Sequence, residues 1–94
     1  MIRAAARHIL VDSETQCLEL KDKIIGGEDF AEVAKRFSQC PSKSQGGALG
    51  SFGKGQMVKE FEDVVFSAEL HKVQGPVKTQ FGYHLLEVTS RVGE

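Results

Sequence analysis

The chain has 94 residues, 40% of them hydrophobic and 27% charged, which is the composition of one ordinary globular domain. Its formal net charge of -1, with both signs scattered along the chain, provides no basic stripe for a phosphate backbone, so we expect no nucleic-acid partner. No apolar run approaches a membrane span, and the start of the chain is too short and polar for a signal peptide. We therefore expect a cytoplasmic protein with no membrane partner.

The cysteine and histidine content argues against metal or redox chemistry. Cys17 and Cys40 are expected to remain free thiols, because unexported proteins keep their cysteines reduced. Two thiols cannot hold zinc alone, and beyond His8 and His84 only the isolated His71 could add a ligand. The two cysteines also lack the C-x-x-C spacing of thiol-redox proteins. We predict no metal and no cofactor.

The first part of the chain predicts one strand followed by a helix. Residues 4–11 contain no Gly or Pro and end in β-prone residues, which indicates a strand. Ser13 and Gln16 have the spacing of a capping box, and Gly26-Gly27 is a helix end. The predicted apolar stripe of this helix consists of Cys17, Leu18, Leu20, Ile24 and Ile25.

A second helix and a glycine-rich segment follow. Asp29 has the position of a helix cap, and residues 30–37 carry apolar side chains at i, i+3, i+4 and i+7. Residues 38–55 lose this periodicity, which predicts a loop around a short strand at 48–52. A flexible linker between two domains is the alternative, but neither half has enough apolar residues to fold alone.

The last part of the chain predicts one helix and two strands. Met57, Phe61 and Val65 have helical spacing, with charged residues on the other side. Residues 73–78 contain Gly75-Pro76, which suits an edge strand or a strand entry. Residues 83–88 are apolar on both faces apart from one glutamate, which indicates a central strand. The short connection at 79–82 makes these strands antiparallel neighbours, so the order β-α-α-β-α-β-β predicts an α+β fold with one sheet.

Individual residues do not identify a reaction. His8 and His84 each lie in a predicted strand on an apolar face, where a histidine that only completes a core is the common case. Cys40 precedes Pro41 in the glycine-rich loop, and no local motif supplies the activated thiolate and oxyanion hole that a nucleophile needs. The glycines fit neither spacing of a nucleotide-binding loop.

The order of these residues nevertheless resembles one family over nearly the whole chain. Four blocks carry the resemblance: Arg7-His8-Ile9-Leu10-Val11; Phe37-Ser38-Gln39-Cys40-Pro41-Ser42 with Gly46-Gly47-Ala48-Leu49-Gly50; Gly55-Gln56-Met57-Val58 with Phe61 and Val65-Phe66; and Gln80-Phe81-Gly82-Tyr83-His84. They resemble the parvulin family of peptidyl-prolyl cis/trans isomerases, and most of all its small stand-alone prokaryotic members.

The resemblance implies a fold and an activity. The fold is α+β and parvulin-like (FKBP-like), a four-stranded antiparallel sheet surrounded by about four helices, with residues 1–94 forming a single domain. The activity is non-covalent isomerisation of exposed X-Pro bonds in unfolded or flexible polypeptides, assisting protein folding. The stand-alone members are usually monomeric, so a monomer is expected. The alternative is a peptide-binding or chaperone module of the same fold that does not catalyse.

The resemblance also implies the site. The catalytic residues would be His8, Cys40, Thr79 and His84. The residues that bind the proline and its surroundings would be Leu49, Gln56, Met57, Phe61 and Phe81. Other members carry Asp at the position of Cys40. Rotation about an amide disrupts resonance but breaks no bond. An apolar pocket that binds the proline ring and polar groups around the rotating carbonyl therefore suffice, and no nucleophile is needed.

Substrate preference can be read from the loop after the first strand. Family members specific for phosphoserine-proline carry arginines and lysines there, which pair with phosphate. The corresponding residues here are Asp12-Ser13-Glu14-Thr15, which are acidic or neutral. We therefore predict no preference for a phosphorylated or acidic residue before proline.

Overall fold

The computed structural model describes residues 3–92 and contains the elements in the predicted order. They are β1 (Arg3–Val11), α1 (Glu14–Ile25), α2 (Phe30–Phe37), a 3₁₀ helix (Pro41–Gln45), β2 (Ala48–Gly53), α3 (Lys59–Val65), β3 (Val73–Thr79) and β4 (Gly82–Val92). The 3₁₀ helix is the only one of these elements that the sequence pattern did not predict. None of the helices in this part of the chain is long and apolar enough to cross a membrane.

The four strands form one antiparallel sheet in the order β2-β1-β4-β3. The predictions that β4 is central and β3 lies at an edge are both confirmed, as is the α+β class. Only Gln80 and Phe81 lie between β3 and β4, so the two strands are joined by a tight hairpin turn. Strand β4 extends beyond the predicted end at residue 88 because its last residues pair with the start of β1.

The two faces of the sheet carry separate cores because side chains alternate along each strand. One core packs β1 and β4 residues against α1 and α2, and it consists of Ile9, Val11, Cys17, Leu20, Phe30, Val33, Ala34 and Leu85. The other packs the opposite face against α3, and it consists of Ala4, Ala6, Phe52, Phe61, Val65, Leu86 and Val88. By strand alternation His8 and His84 share the α3 face.

Helix α1 begins as predicted but buries a narrower stripe. The hydroxyl oxygen of Ser13 accepts a hydrogen bond from the backbone N–H of Gln16 at 3.3 Å, which caps the helix. The expectation that Leu18 and Ile25 face the core is wrong, since their exposed fractions are 46% and 68%. Leu18 lies about 100° and Ile25 about 80° around the helix axis from Cys17, which is buried against the sheet.

The one charged residue within the central part of β4 has a specific partner. Glu87 lies opposite Arg7 in the β1–β4 register, and its Oε1 is 2.6 Å from Arg7 Nε. The Arg7 guanidinium also lies over the ring of Phe30, 4.7 Å from the centroid. The buried glutamate is thus neutralised by a cross-strand ion pair, which explains the exception in an otherwise apolar strand.

The glycine-rich segment is a structured loop that is tied to β1. Backbone N–H groups of Gln39 and His8 donate to the carbonyls of Leu10 at 2.7 Å and of Gly47 at 2.9 Å. Gly47 has φ +88°, and a Cβ there would collide with the carbonyl oxygen of His8. Only glycine allows this approach of loop to strand, so the segment is a structured loop docked on β1. That residues 1–94 form a single domain stays a prediction.

Substituting alanine at two glycines of the same conformation separates backbone strain from close approach. Gly47→Ala should lower the free energy of unfolding by about 2–4 kcal/mol, because it adds a collision to the strain of a positive φ. Gly55→Ala, at φ +90° with nothing within 4 Å, should cost only about 1–2 kcal/mol. Urea unfolding measures both values, and equal losses would contradict the docking of this loop on His8.

Candidate active site

A cleft of about 430 Å³ opens on the histidine side of the sheet. Its lining consists of His8, Leu10, Gln39, Cys40, Pro41, Leu49, Gln56, Met57, Val58, Phe61, Phe81 and His84. The structure therefore brings together all the site residues expected from the sequence except Thr79, which lies behind the lining and contacts His84. Strands β1 and β4, the loop before β2, and the start of α3 each contribute to the cleft.

A chain of hydrogen bonds connects Thr79 to both histidines. Thr79 Oγ1 lies 2.8 Å from His84 Nε2, and His84 Nδ1 lies 3.0 Å from His8 Nδ1. All three side chains are buried, with exposed fractions of 7% for Thr79, 4% for His84 and 5% for His8. Strand register explains the contact, since His84 pairs with Leu10 and so lies diagonal to His8 on one face.

The hydrogen-bond partners assign the tautomers of both imidazoles. Thr79 Oγ1 accepts from the backbone N–H of Phe81 at 3.1 Å, and the only acceptor for its own proton within residues 3–92 is His84 Nε2. His84 then carries its proton on Nδ1 and donates it to His8 Nδ1. His8 in turn carries its proton on Nε2. Two neutral imidazoles satisfy this chain.

Burial keeps the histidines uncharged. Burial, followed by the charge of His84, lowers the pKa of His8 from 6.5 to about 4, and burial lowers the pKa of His84 as well. Nε2 of His8 is buried and has no hydrogen-bond partner in the described part of the chain. An unsatisfied polar atom in a core is uncommon and costs stability, which distinguishes this pair from histidines that merely complete a core.

Cys40 lies at the edge of the cleft and is held by serines. Its thiol sulfur accepts a hydrogen bond from the hydroxyl of Ser42 at 3.3 Å, and its backbone N–H donates to Ser38 Oγ at 3.3 Å. The same Ser38 oxygen accepts from the N–H of Leu10 at 3.0 Å, so it joins the loop to β1. No hydrogen bond links the thiol to either imidazole within residues 3–92, so the arrangement does not form a Cys-His nucleophile pair.

The second cysteine lies far from this chemistry. Cys17 is buried in the core under α1, and the two cysteines do not form a disulfide. Burial raises the pKa of the Cys17 thiol to about 11, which keeps it protonated and inert. Residues 3–92 contain no group of three His, Cys, Asp or Glu side chains that could hold a metal ion. That the protein needs no metal or cofactor stays a prediction.

Apolar side chains from α3 and its approach form the wall opposite the strands. Phe61 is buried, and its ring makes edge contacts with His8 and His84 at centroid distances of 5.7 and 5.6 Å. Met57 and Leu49 are half-buried and pack against the same core. The arrangement places an aromatic floor directly beside the neutral histidine pair, in a space large enough for a pyrrolidine ring.

Gln56 has a structural contact in addition to its place in the lining. Its side-chain oxygen accepts a hydrogen bond from the backbone N–H of Gly53 at 2.6 Å. This bond holds the segment between β2 and α3 in place, ahead of Met57. The side chain is therefore fixed at the rim of the cleft rather than free to turn.

Sequence reasoning missed several residues of the cleft. Val58 follows Met57 and extends the apolar wall, while Leu10 lies two residues after His8 on the same strand face. Gln39 and Pro41 flank Cys40, and alternation or adjacency to a predicted residue could have indicated each of these four. Ser38 gave no such signal, because the Leu10 N–H that donates to its hydroxyl oxygen lies 28 residues away in β1.

Comparisons with known proteins decide the family. A family model described as the rotamase or PPIC-type PPIase domain matches residues 5–90. The chain belongs to the parvulin family. The solution structure of NmPin, the parvulin of Nitrosopumilus maritimus, superposes with a TM-score of 0.86 at 36% identity, covering 96% of this chain and 98% of that protein. The predicted family and fold are confirmed, and the comparisons support peptidyl-prolyl isomerase function.

Longer parvulin-domain proteins are also similar. The foldase protein PrsA of a Geobacillus species is 51% identical over 87 residues, which span 92% of this chain and 32% of that protein. The crystal structure of PrsA from Bacillus anthracis has a TM-score of 0.95 at 36% identity, covering 98% of this chain and 43% of that one. The chain spans about a third of the length of these curated relatives.

The lowered pKa of His8 predicts a pH-dependent stability. The pKa of His8 is lower in the folded state than in the unfolded state. The free energy of unfolding is therefore at its full value above pH 6.5 and decreases as the pH falls toward about 4. The loss should amount to roughly 3 kcal/mol, at about 1.36 kcal/mol per pKa unit. Urea unfolding across this range should show the loss in wild type and in His71→Gln, and a smaller one in His8→Leu. A His8 imidazole that titrates near 6.5 by NMR would contradict the assignment.

Proposed function

We propose that this chain is a peptidyl-prolyl cis/trans isomerase that accelerates rotation about X-Pro bonds without forming a covalent intermediate. The observation that carries the proposal is the edge contact of the buried Phe61 ring with both neutral histidines. An apolar surface for the proline ring and a polar surface for its amide are thus adjacent within one cleft.

The reaction needs only differential binding of a twisted amide. The uncatalysed barrier is roughly 18–20 kcal/mol because rotation interrupts amide resonance. The twisted carbonyl has lost conjugation with nitrogen, so its solvation differs from that of either planar form. A site that holds the ring still while fixed dipoles receive the rotated carbonyl lowers the barrier, with each ~1.4 kcal/mol giving tenfold in rate.

The residues divide into two roles under this proposal. The proline ring is held by Leu49, Met57 and Phe61. The polarity around the turning carbonyl is set by His8, Cys40, Thr79 and His84. The Thr79 hydrogen bond fixes the tautomers, so the dipoles of the imidazoles have one orientation before substrate arrives, which avoids reorganisation during rotation.

The substrate preference we propose is for an uncharged residue before proline. Among the described residues, none that lines the cleft is Lys, Arg, Asp or Glu. The connection between β1 and α1 is Asp12-Ser13 alone, because Glu14 already begins the helix. A phosphate bound there would meet a carboxylate and no cation, which disfavours phosphoserine and glutamate.

The second candidate function is a peptide-binding module without catalysis. A structure titled as two SurA-like chaperones of Campylobacter jejuni has a TM-score of 0.90 at 37% identity, covering 96% of this chain and 39% of that one. Such a module needs the apolar wall but not the ordered histidine pair. The buried Thr79–His84–His8 chain favours the enzyme. A surface that only binds peptides does not require a buried imidazole whose Nε2 has no hydrogen-bond partner among the described residues.

The proposal also covers the extent of the domain, its role in folding, its location and its oligomeric state. Pairing of β1 with β4 joins the two ends of the described chain in one sheet, which supports residues 1–94 as a single domain. Relatives named foldases support a role in protein folding, with polypeptides as partners. The cytoplasmic location and the monomeric state stay predictions. Cell fractionation and sedimentation of the purified protein test them.

The proposal is tested by exchange NMR on proline tetrapeptides. Wild type should accelerate cis/trans exchange, and Met57→Ala should lower kcat/KM by about 5–30-fold through lost contact with the ring. Leu18→Ala, an exposed leucine on the opposite side of the sheet, is the matched control. If wild type bound the peptides at Leu49 and Phe61 without accelerating exchange, the binding module would replace the enzyme.

Variants of Cys40 test the non-covalent mechanism. Cys40→Asp should keep kcat/KM within about tenfold of wild type, because a carboxylate also supplies polarity to a rotating carbonyl. Far-UV and near-UV circular dichroism confirm that each variant is folded. Inactivity of folded Cys40→Ala and Cys40→Asp together would indicate that the thiol itself reacts.

A further inference from the structure

Strand β1 continues beyond the end of its neighbour β2. The β1–β2 register ends where Arg7 lies opposite Ala48, whereas β1 pairs with β4 as far as Val11. The outer edge of the last four β1 residues, which begin with His8, therefore has no strand beside it within residues 3–92. Backbone N–H and C=O groups at such an edge need other hydrogen-bond partners, because a buried group without one costs free energy.

The hydroxyl of Ser38 provides one of these partners. Its Oγ accepts a hydrogen bond from the Leu10 N–H at 3.0 Å, and the Leu10 carbonyl accepts one from the Gln39 N–H at 2.7 Å. Leu10 thus makes on this edge the two hydrogen bonds that a neighbouring strand would give it. The exposed fraction of Ser38 is only 3%, so its oxygen makes these contacts away from bulk water.

The same oxygen also holds the backbone of Cys40. The Cys40 N–H donates to Ser38 Oγ at 3.3 Å, so one hydroxyl oxygen is shared between Cys40 and Leu10. Leu10 in turn lies opposite His84 in the β1–β4 register. Ser38 therefore determines how far the backbone of Cys40 lies from the strand pair that carries the two histidines.

Helix α2 fixes the position of Ser38 itself. Ser38 follows the last residue of α2, and its N–H donates to the carbonyl of Ala34 at 3.0 Å. Ala34 is buried in the core under α1 and α2, on the face of the sheet opposite the histidines. The chain passes from that face to the cleft between Ser38 and Cys40. The hydroxyl thus joins the cleft to a packed helix at the point where the chain crosses the edge of the sheet.

We propose that Ser38 is a positioning residue of the isomerase, whose hydroxyl holds Cys40 in place beside the histidine pair. The inference rests on the proposed isomerase function and adds a residue that does not itself line the cleft. Loss of the hydroxyl would displace the thiol but leave the apolar wall on α3 intact. We therefore expect kcat to fall and KM to stay unchanged, because the proline ring is still bound while the polar groups lose their alignment.

A pair of variants with side chains of the same shape isolates the hydroxyl. Thr and Val differ only in that a methyl group replaces the hydroxyl, and both suit the extended backbone of Ser38, at φ −68° and ψ 139°. Exchange NMR over a range of proline tetrapeptide concentrations gives kcat and KM. Ser38→Thr should keep kcat within about twofold of wild type, whereas Ser38→Val should lower it about 5–10-fold with KM within about twofold. Equal kcat values for the two variants would overturn the proposal.

Two controls separate this effect from a general loss of structure. Ser44→Ala removes an exposed hydroxyl from the 3₁₀ helix of the same loop, and it should leave kcat unchanged. Val33→Ala removes buried volume from the core under α2, so it should lower the urea midpoint of unfolding without changing kcat. If the added methyl group prevented both Ser38→Thr and Ser38→Val from folding, Ser38→Ala would be compared with wild type instead.

A double-mutant cycle tests whether Ser38 acts through Cys40. In a Cys40→Ala background, Ser38→Val should change kcat by less than about twofold, because no thiol remains to be displaced. The same 5–10-fold loss in both backgrounds would overturn the proposal, since Ser38 would then act on β1 and the histidines directly.

Alkylation of the thiol by iodoacetamide tests the positioning without any catalysis. Mass spectrometry should show that Cys40 reacts about 3–10-fold faster in Ser38→Val than in Ser38→Thr, because a loop without this hydrogen bond opens more often. The buried Cys17 should stay unmodified in both variants and is the internal reference. If wild type accelerated no peptide, the isomerase proposal would fail, and the alkylation rates would decide the positioning alone. Faster alkylation in Ser38→Val would support it, and equal rates would overturn it.

Discussion

The antiparallel pairing of β1 with β4 is the constraint on which the rest of the structure depends. These strands come from opposite ends of the chain, and their register brings His8 and His84 within one hydrogen bond on the α3 face. On the other face the same register places Arg7 against Glu87. A slip of one residue would place the partners of each pair on opposite faces of the sheet, separating His84 from His8 and Glu87 from Arg7. Fold and site are therefore specified by one set of strand contacts.

The histidine pair combines a cost in stability with the chemical role that we propose for it. Two buried imidazoles must both stay neutral, and one of them retains a polar atom without a partner in the described residues. A core of this size could fill the same volume with aliphatic side chains at lower cost. The hydrogen bonds from the Phe81 backbone N–H to Thr79 and from Thr79 to His84 select one tautomer for each imidazole. The result is an oriented polar surface in an otherwise apolar cleft, which is the environment a twisted amide requires.

The loop before β2 and helix α3 complete the site from opposite sides. Gly47 lets the loop lie against the carbonyl of His8. This contact positions the loop, and with it Cys40, at the edge of the cleft. Helix α3 is only seven residues long, yet its Phe61 contacts both histidines. Relatives that are three times as long share this domain, and a short parvulin matches it over nearly its full length. The geometry of the cleft therefore does not depend on the additional length of the longer relatives.

The sequence by itself determined the order of elements, the α+β class, the central position of β4 and eight of the residues that line the cleft, because caps, periodicity and family motifs are local. Only the tertiary structure decided that Leu18 and Ile25 face solvent, that Ser38 joins the loop to β1, and that Phe81 extends from its turn. It also decided which nitrogen of each imidazole carries the proton. These features depend on the register and distance of segments far apart in the chain, which no local pattern encodes.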